Sequence, residues 1–208
     1  MGFVAGVGRG VKFLKEGDRV GVPWLHTACG HCEHCYGGWV AVSGIGGLGH
    51  MAVQYAKAMG FHVIAVNIAG DKLALAKSLG AELTPNAATQ DVVAEVQRHV
   101  RGAHGVLVTA VSRAAFAQAV GLLHKRGTMS LVGLPPGSFD LPIFDVVSNA
   151  KTVRGSIVGT RLDLQEALKF AGQGKVRSHY STDKIDNINA IFGAMKEGRI
   201  DGRVVLEM

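Results

Sequence analysis

The run Gly44-Ile-Gly46-Gly47-Leu48-Gly49 has the glycine spacing of a turn that holds a dinucleotide. An apolar-rich stretch, Trp39-Val-Ala-Val-Ser43, precedes it. Leu48, Ala52, Tyr55 and Met59 follow at helical spacing, and Gly60 closes that segment. In such a strand–turn–helix unit each glycine has a separate task. Gly44 makes the tight turn, Gly46 lets a pyrophosphate approach the backbone, and Gly49 allows the helix to pack closely on the strand. The helix start at Gly47 and Leu48 offers free N–H groups and the positive end of the helix dipole to the phosphates. The competing reading is a glycine-rich turn with no ligand.

A dinucleotide site of this kind expects a carboxylate after the second strand, where it grips the ribose hydroxyls and repels a 2′-phosphate. The chain carries Asn67 there. An amide accepts and donates but repels nothing, so NAD should be held less firmly and NADP less strongly rejected. Lys72 lies five residues on. It is either a second contact to the ribose or its phosphate, or a solvated helix charge.

A second cluster precedes the turn. Cys29, Cys32 and Cys35 form a C-x2-C-x2-C pattern with His31 and His34 between them. Three cysteines so close together point to metal binding in a reducing compartment rather than to a disulfide framework. Structural zinc is almost always four-coordinate, and only three ligands are evident. His31 or His34 would strain its short loop; water or a partner chain are the other sources. The alternative is three reduced thiols.

The elements that must position these groups alternate. Strand-like runs at 39–43, 61–66, 105–111, 128–132 and 153–158 are separated by helical patterns near 48–59, 71–78, 91–100 and 113–123, with another helix through Leu164 and Ala171. That order implies an α/β fold, a doubly wound parallel sheet with helices on both faces. Residues 1–38 read as short β-strands. Residues 184–198 read as a last helix, and Arg203-Val-Val-Leu-Glu207 as a last strand.

Composition narrows the class. With 48% hydrophobic and 18% charged residues the chain can bury a sizeable core. The net charge of +6 is scattered, with no basic face interleaved with aromatics, so no nucleic-acid partner is expected. No apolar stretch approaches the roughly 20 residues of a membrane span, and the start lacks a signal-peptide pattern, so no membrane is expected and the cytoplasm is the expected compartment.

Taken together, these motifs resemble the bacterial zinc-dependent medium-chain alcohol dehydrogenases. Gly8-Arg-Gly-Val-Lys-Phe-Leu-Lys-Glu-Gly-Asp-Arg-Val-Gly-Val-Pro-Trp24 is similar to the strand pair before that family's metal lobe, and Cys29 to Cys35 to the start of its structural zinc lobe. Val42 to Gly49, Leu131-Val-Gly-Leu-Pro-Pro136, Gly155-Ser-Ile-Val-Gly-Thr160 and Gly202-Arg-Val-Val205 are similar to its cofactor contacts. The resemblance implies a Rossmann domain at 39–174, a remnant of a GroES-like β-rich catalytic domain with a partial zinc lobe at 1–38, and a C-terminal segment at 175–208 returning to the catalytic domain. It implies that Val132, Leu134, Ser156 and Val158 hold the nicotinamide carboxamide, that Leu48 packs on the nicotinamide ring, and that Arg203 pairs with the pyrophosphate.

The implied cofactors are NAD and zinc. The implied reaction is hydride transfer between small primary alcohols or aldehydes and NAD, in a homo-oligomer. The segments that carry the family's catalytic zinc ligands are not recognisable, so no catalytic residue is assigned and the catalytic zinc site is expected to be absent. The fourth cysteine of the structural lobe would fall at Ser43, already part of a strand. Trp39 fits the end of either segment, as a truncated start and an internal deletion would leave it. Two other readings follow: an NAD(H)-binding module without turnover, and an interaction protein that shares metal through its cysteines.

Overall fold

The computed structural model describes residues 2–3, 15, 19–20 and 38–207. The chain divides into two compact units, Met1–Tyr36 and Gly37–Met208. In the first, β1 (Gly2–Phe3) pairs antiparallel with β2 (Arg19–Val20). The zinc-lobe residues Cys29, Cys32 and Cys35 lie outside the described residues.

The second unit contains a five-stranded parallel sheet in the order β4-β3-β5-β6-β7. Its strands are β3 (Trp39–Ser43), β4 (His62–Val66), β5 (Ala103–Val108), β6 (Leu123–Leu131) and β7 (Thr152–Gly155). Between them run α1 (Gly49–Ala58), α2 (Gly70–Ser78), α3 (Val92–Val100), α4 (Arg113–Leu122) and α5 (Ile143–Ser148). Then come α6 (Arg161–Gly172), β8 (Tyr180–Lys184), a 3-10 turn at Ile185–Asn187, α7 (Ile188–Lys196) and β9 (Arg203–Glu207). β8 and β9 form a separate parallel pair. Beyond β4, the bridges Ile64–Leu83 and Asn67–Asn86 continue the sheet in the parallel sense without forming a named strand.

Period-two alternation sends successive strand residues to opposite faces, and both faces are covered. Val42, Val63 and Ala65 pack with Val53 and Ala56 of α1 and Ala76 of α2. Ala41, Ile64, Val66, Val106 and Val108 pack with Val92 and Val96 of α3 and with Phe116, Ala119 and Val120 of α4. Ile64 and Val42 are fully buried, and each such side chain stabilises the fold by about 1.5–3 kcal/mol.

Helix ends follow local chemistry. Asp91 caps α3 by accepting from Val93 and Ala94 N–H at 3.1 and 3.0 Å. Thr160 and Asp163 form a capping box at the start of α6.

Several expectations are corrected. The strand read over 105–111 stops at Val108, because Thr109 and Ala110 turn their N–H groups onto the Ser43 carbonyl at 2.9 and 3.0 Å. The strand read over 153–158 ends at Gly155, and Val158 takes a positive φ of 37° with its side chain exposed. α5 and β8 were not anticipated; α5 is one short apolar-rich helix and β8 is largely polar and exposed.

Candidate functional site

The chain steps from β3 to β4 on one side and then returns to place β5 on the other side of β3. The carboxyl ends of β3 and β5 are therefore the topological switch point, the place at which open α/β sheets bind ligands. The Gly44–Gly49 turn starts there. Gly44 has φ +94°, and a Cβ on it would lie 2.5 Å from Ala110 N. A Cβ on Gly49 would fall on the Gly44 carbonyl. Only glycine fits either position. A Cβ on Gly46 would meet nothing within 4 Å, so the space above that backbone is open. That open backbone suits a pyrophosphate beside a helix N-terminus.

Arg203 closes the other side of the turn. A Cβ on Gly47 would lie 2.8 Å from the Arg203 guanidinium carbon, so the arginine crosses directly over the turn. Residues 156 apart in sequence meet here because β9 begins where β8 and the preceding residues reach α1. Leu48 is half exposed beside them.

The turn has further supports that the motif did not reveal. Thr109 Oγ1 donates to the Gly44 carbonyl at 2.6 Å. His50 and Gln54, both buried polar residues of α1, bind the backbone at 177–179. Burial foremost, then the charges of Arg203 and His179, holds the His50 imidazole below its ordinary value of 6.5; its bond with Gly46 acts the other way. A polar residue on an apolar helix face was the only available signal for either.

Asn67 sits just past β4, and its Oδ1 accepts from Ile68 N at 2.7 Å and Ala69 N at 3.1 Å. This uses the acceptor on local backbone and leaves the amide N–H groups available to another partner. Lys72 takes neither position read from the sequence. Its side chain is buried, and its ammonium donates to Ile200 O at 2.5 Å and Asp201 Oδ1 at 2.9 Å.

Val132 N–H and Gly133 N–H both bond to Val108 O, at 3.0 and 2.9 Å, and Ser156 N–H bonds to Leu131 O at 2.9 Å. Leu134 and Ser156 line one cleft with Phe116, Leu131, Gly133 and Ile157. Val158 is exposed beyond it. Among the described residues, no three of His, Cys, Asp and Glu come together as a metal site. The described residues fit a dinucleotide. No helix among them is long and apolar enough to cross a membrane.

Fold and turn define a dinucleotide-binding α/β protein. Residues 47–173 match the zinc-binding dehydrogenase family, and residues 1–68 match the alcohol dehydrogenase GroES-like domain. An alcohol dehydrogenase of Rhizobium meliloti is 50% identical over 273 residues, taking in 100% of this chain and 80% of the relative. One of Geobacillus stearothermophilus is 40% identical over 273 residues, with 100% of this chain and 81% of the relative covered. The chain is also similar to the solved alcohol dehydrogenase of Aeropyrum pernix, with a TM-score of 0.79, 35% identity, and coverage of 83% of this chain and 51% of that one. It thus spans about half the length of that structure. The chain belongs to the family of zinc-binding medium-chain alcohol dehydrogenases.

The aligned span of 273 residues against a chain of 208 leaves 65 positions without a counterpart here.

Proposed function

We propose that this chain serves NAD-linked hydride transfer between small primary alcohols and aldehydes, and that it contributes the cofactor-binding half of that chemistry. The observation that carries the reading is the Gly44–Gly49 turn, open above Gly46 and crossed by Arg203 at Gly47. NAD, when bound, supplies the hydride acceptor. The turn's N–H groups and Arg203 hold its pyrophosphate, Asn67 faces its ribose, Leu48 lies against the nicotinamide, and Val132, Leu134, Ser156 and Val158 flank the carboxamide. Lys72 is read instead as a support of the fold, its ammonium being bonded to Asp201.

The proposed division is a GroES-like remnant over 1–38, a Rossmann domain over 39–174, and a returning C-terminal segment over 175–208. Cys29, Cys32 and Cys35 are proposed as zinc ligands of an incomplete structural lobe, in a cytoplasmic homo-oligomer.

A second reading is cofactor binding without turnover, suggested by the 65 positions of the relative that the alignment leaves unmatched. Hydride leaves an alcohol carbon readily when the oxygen is close to an alkoxide, which zinc promotes as a Lewis acid.

One experiment separates the readings: ethanol-dependent NADH formation by the purified chain with zinc supplied, alongside its zinc content. Turnover with two zinc ions per chain supports the complete enzyme. Nucleotide binding with one zinc or none and no turnover supports the cofactor-binding reading. Failure to bind NAD(H) at all overturns both.

A further inference from the structure

We propose that His50 is a positioning residue that locks Arg203 over the cofactor turn only while its imidazole is neutral, making cofactor capture by this chain acid-sensitive. This rests on reading the Gly44–Gly49 turn as the cofactor site.

The geometry assigns the tautomer. His50 is fully buried. Its Nδ1 lies 3.0 Å from the Gly46 carbonyl, and its Nε2 accepts from the His179 N–H at 3.1 Å. A carbonyl can only accept and an amide N–H can only donate. One arrangement satisfies both: a proton on Nδ1 and none on Nε2. Protonating Nε2 sets two N–H groups against each other inside the fold.

The contact at His179 continues to the arginine. The His179 carbonyl accepts from Arg203 N–H at 3.0 Å, fixing the start of β9. Gly202, at φ +67°, packs so closely that a Cβ would overlap the same carbonyl. The Arg203 side chain then returns over Gly47. A closed circuit therefore runs from Gly46 through His50, His179 and Arg203 back to Gly47. The charged and titratable groups facing His50 are Arg203 on β9 and His179 before β8, and both oppose a second proton on the ring. Gln54, one helical turn further along α1, fixes Arg177 and keeps the segment in register.

The test uses the full 208-residue chain. Long-range nitrogen–proton NMR reads the His50 tautomer without any cofactor; a neutral ring protonated at Nδ1 is expected at about pH 7.5. An Nε2-protonated or doubly protonated ring there overturns the proposal. Calorimetric titration with NAD then runs from about pH 8 down to about pH 5.5, with folding checked by circular dichroism. Wild-type affinity should fall toward the acid end of that range, by no more than about tenfold at about pH 5.5, because a ring that titrates below 6.5 is still about one-tenth neutral there.

His50→Gln keeps an acceptor near Nε2. It should stay within about threefold of wild type at high pH and flatten the profile. His50→Asn keeps only the donor toward Gly46, and should bind about tenfold more weakly at every pH. Adding it to Arg203→Ala should cause little further loss, because both break the same circuit. Equal binding by His50→Asn and wild type, or a flat wild-type profile, overturns the role of His50 and leaves the cofactor reading standing. No NAD binding by wild type at any pH overturns the cofactor reading and the proposal together.

Discussion

Gln54 and Arg177 exchange two hydrogen bonds: the Gln54 amide donates to the Arg177 carbonyl at 2.9 Å, and its oxygen accepts from the Arg177 N–H at 2.9 Å. The same amide also donates to the His50 carbonyl at 3.1 Å. A buried helix side chain thus takes the place of a neighbouring strand for the backbone that leads into β8. Gln54→Leu would leave two backbone groups unpaired at a cost of about 2 kcal/mol. The nucleotide-free melting temperature should drop by about 5 °C by differential scanning calorimetry.

The glycines of the turn should separate folding from binding. Gly46 faces open space, so Gly46→Ala should leave the melting temperature of the free chain unchanged while weakening NAD at least about tenfold, by filling the place of the pyrophosphate. Gly44→Ala should destabilise the free chain itself by about 1–3 kcal/mol, since it meets Ala110 at a positive φ. Equal losses of melting temperature in both variants would contradict this assignment.

Asn67 has its acceptor occupied by Ile68 and Ala69 N–H. Asn67→Asp could keep those bonds on one oxygen and offer the other to the ribose. Calorimetry should find wild-type affinities for NAD and NADP within about tenfold of each other, and a rise of at least about tenfold in the preference for NAD in the variant.

Lys72 is expected to support the fold and not the cofactor. Lys72→Met removes a buried ammonium paired with Asp201 and the Ile200 carbonyl. The melting temperature should fall by a few degrees, for a loss of about 1 kcal/mol, and the dissociation constant for NADP should change by less than about twofold. A large loss of NADP affinity with unchanged stability would restore its cofactor role.

Acid should act in two windows. The folded value of His50 lies below 6.5, so between the two values the unfolded chain binds the extra proton and stability rises with pH. That contribution is complete above about pH 6.5 and is lost as pH falls through the lowered folded value. Asp145, held low chiefly by its bond with Lys151, and Glu82, held low chiefly by Lys57, contribute above the ordinary carboxylate range and lose it at lower pH. Melting temperatures measured across pH should show the upper step in wild type and not in His50→Gln.

Much of this architecture was legible because it is local. The strand at 39–43, the glycine turn and the helix after it are fixed by period-two and helical spacing and by glycine sterics, all within a few residues. The family membership follows from the same motifs. What escaped the sequence depends on partners far along the chain. Val158 was read as strand, but nothing in its residue type foretells the positive φ that follows the end of β7. The sequence left Lys72 open as a ribose contact or a solvated charge, and only the approach of Asp201 decided its place. His50 looked like one more helix residue until His179 and Arg203 closed on it. Sequence alone determined the dinucleotide turn, because glycine's freedom is a property of the residue. Tertiary structure decided what surrounds that turn, because a hydrogen bond between residues over a hundred positions apart exists only once the sheet and its returning segment have folded together.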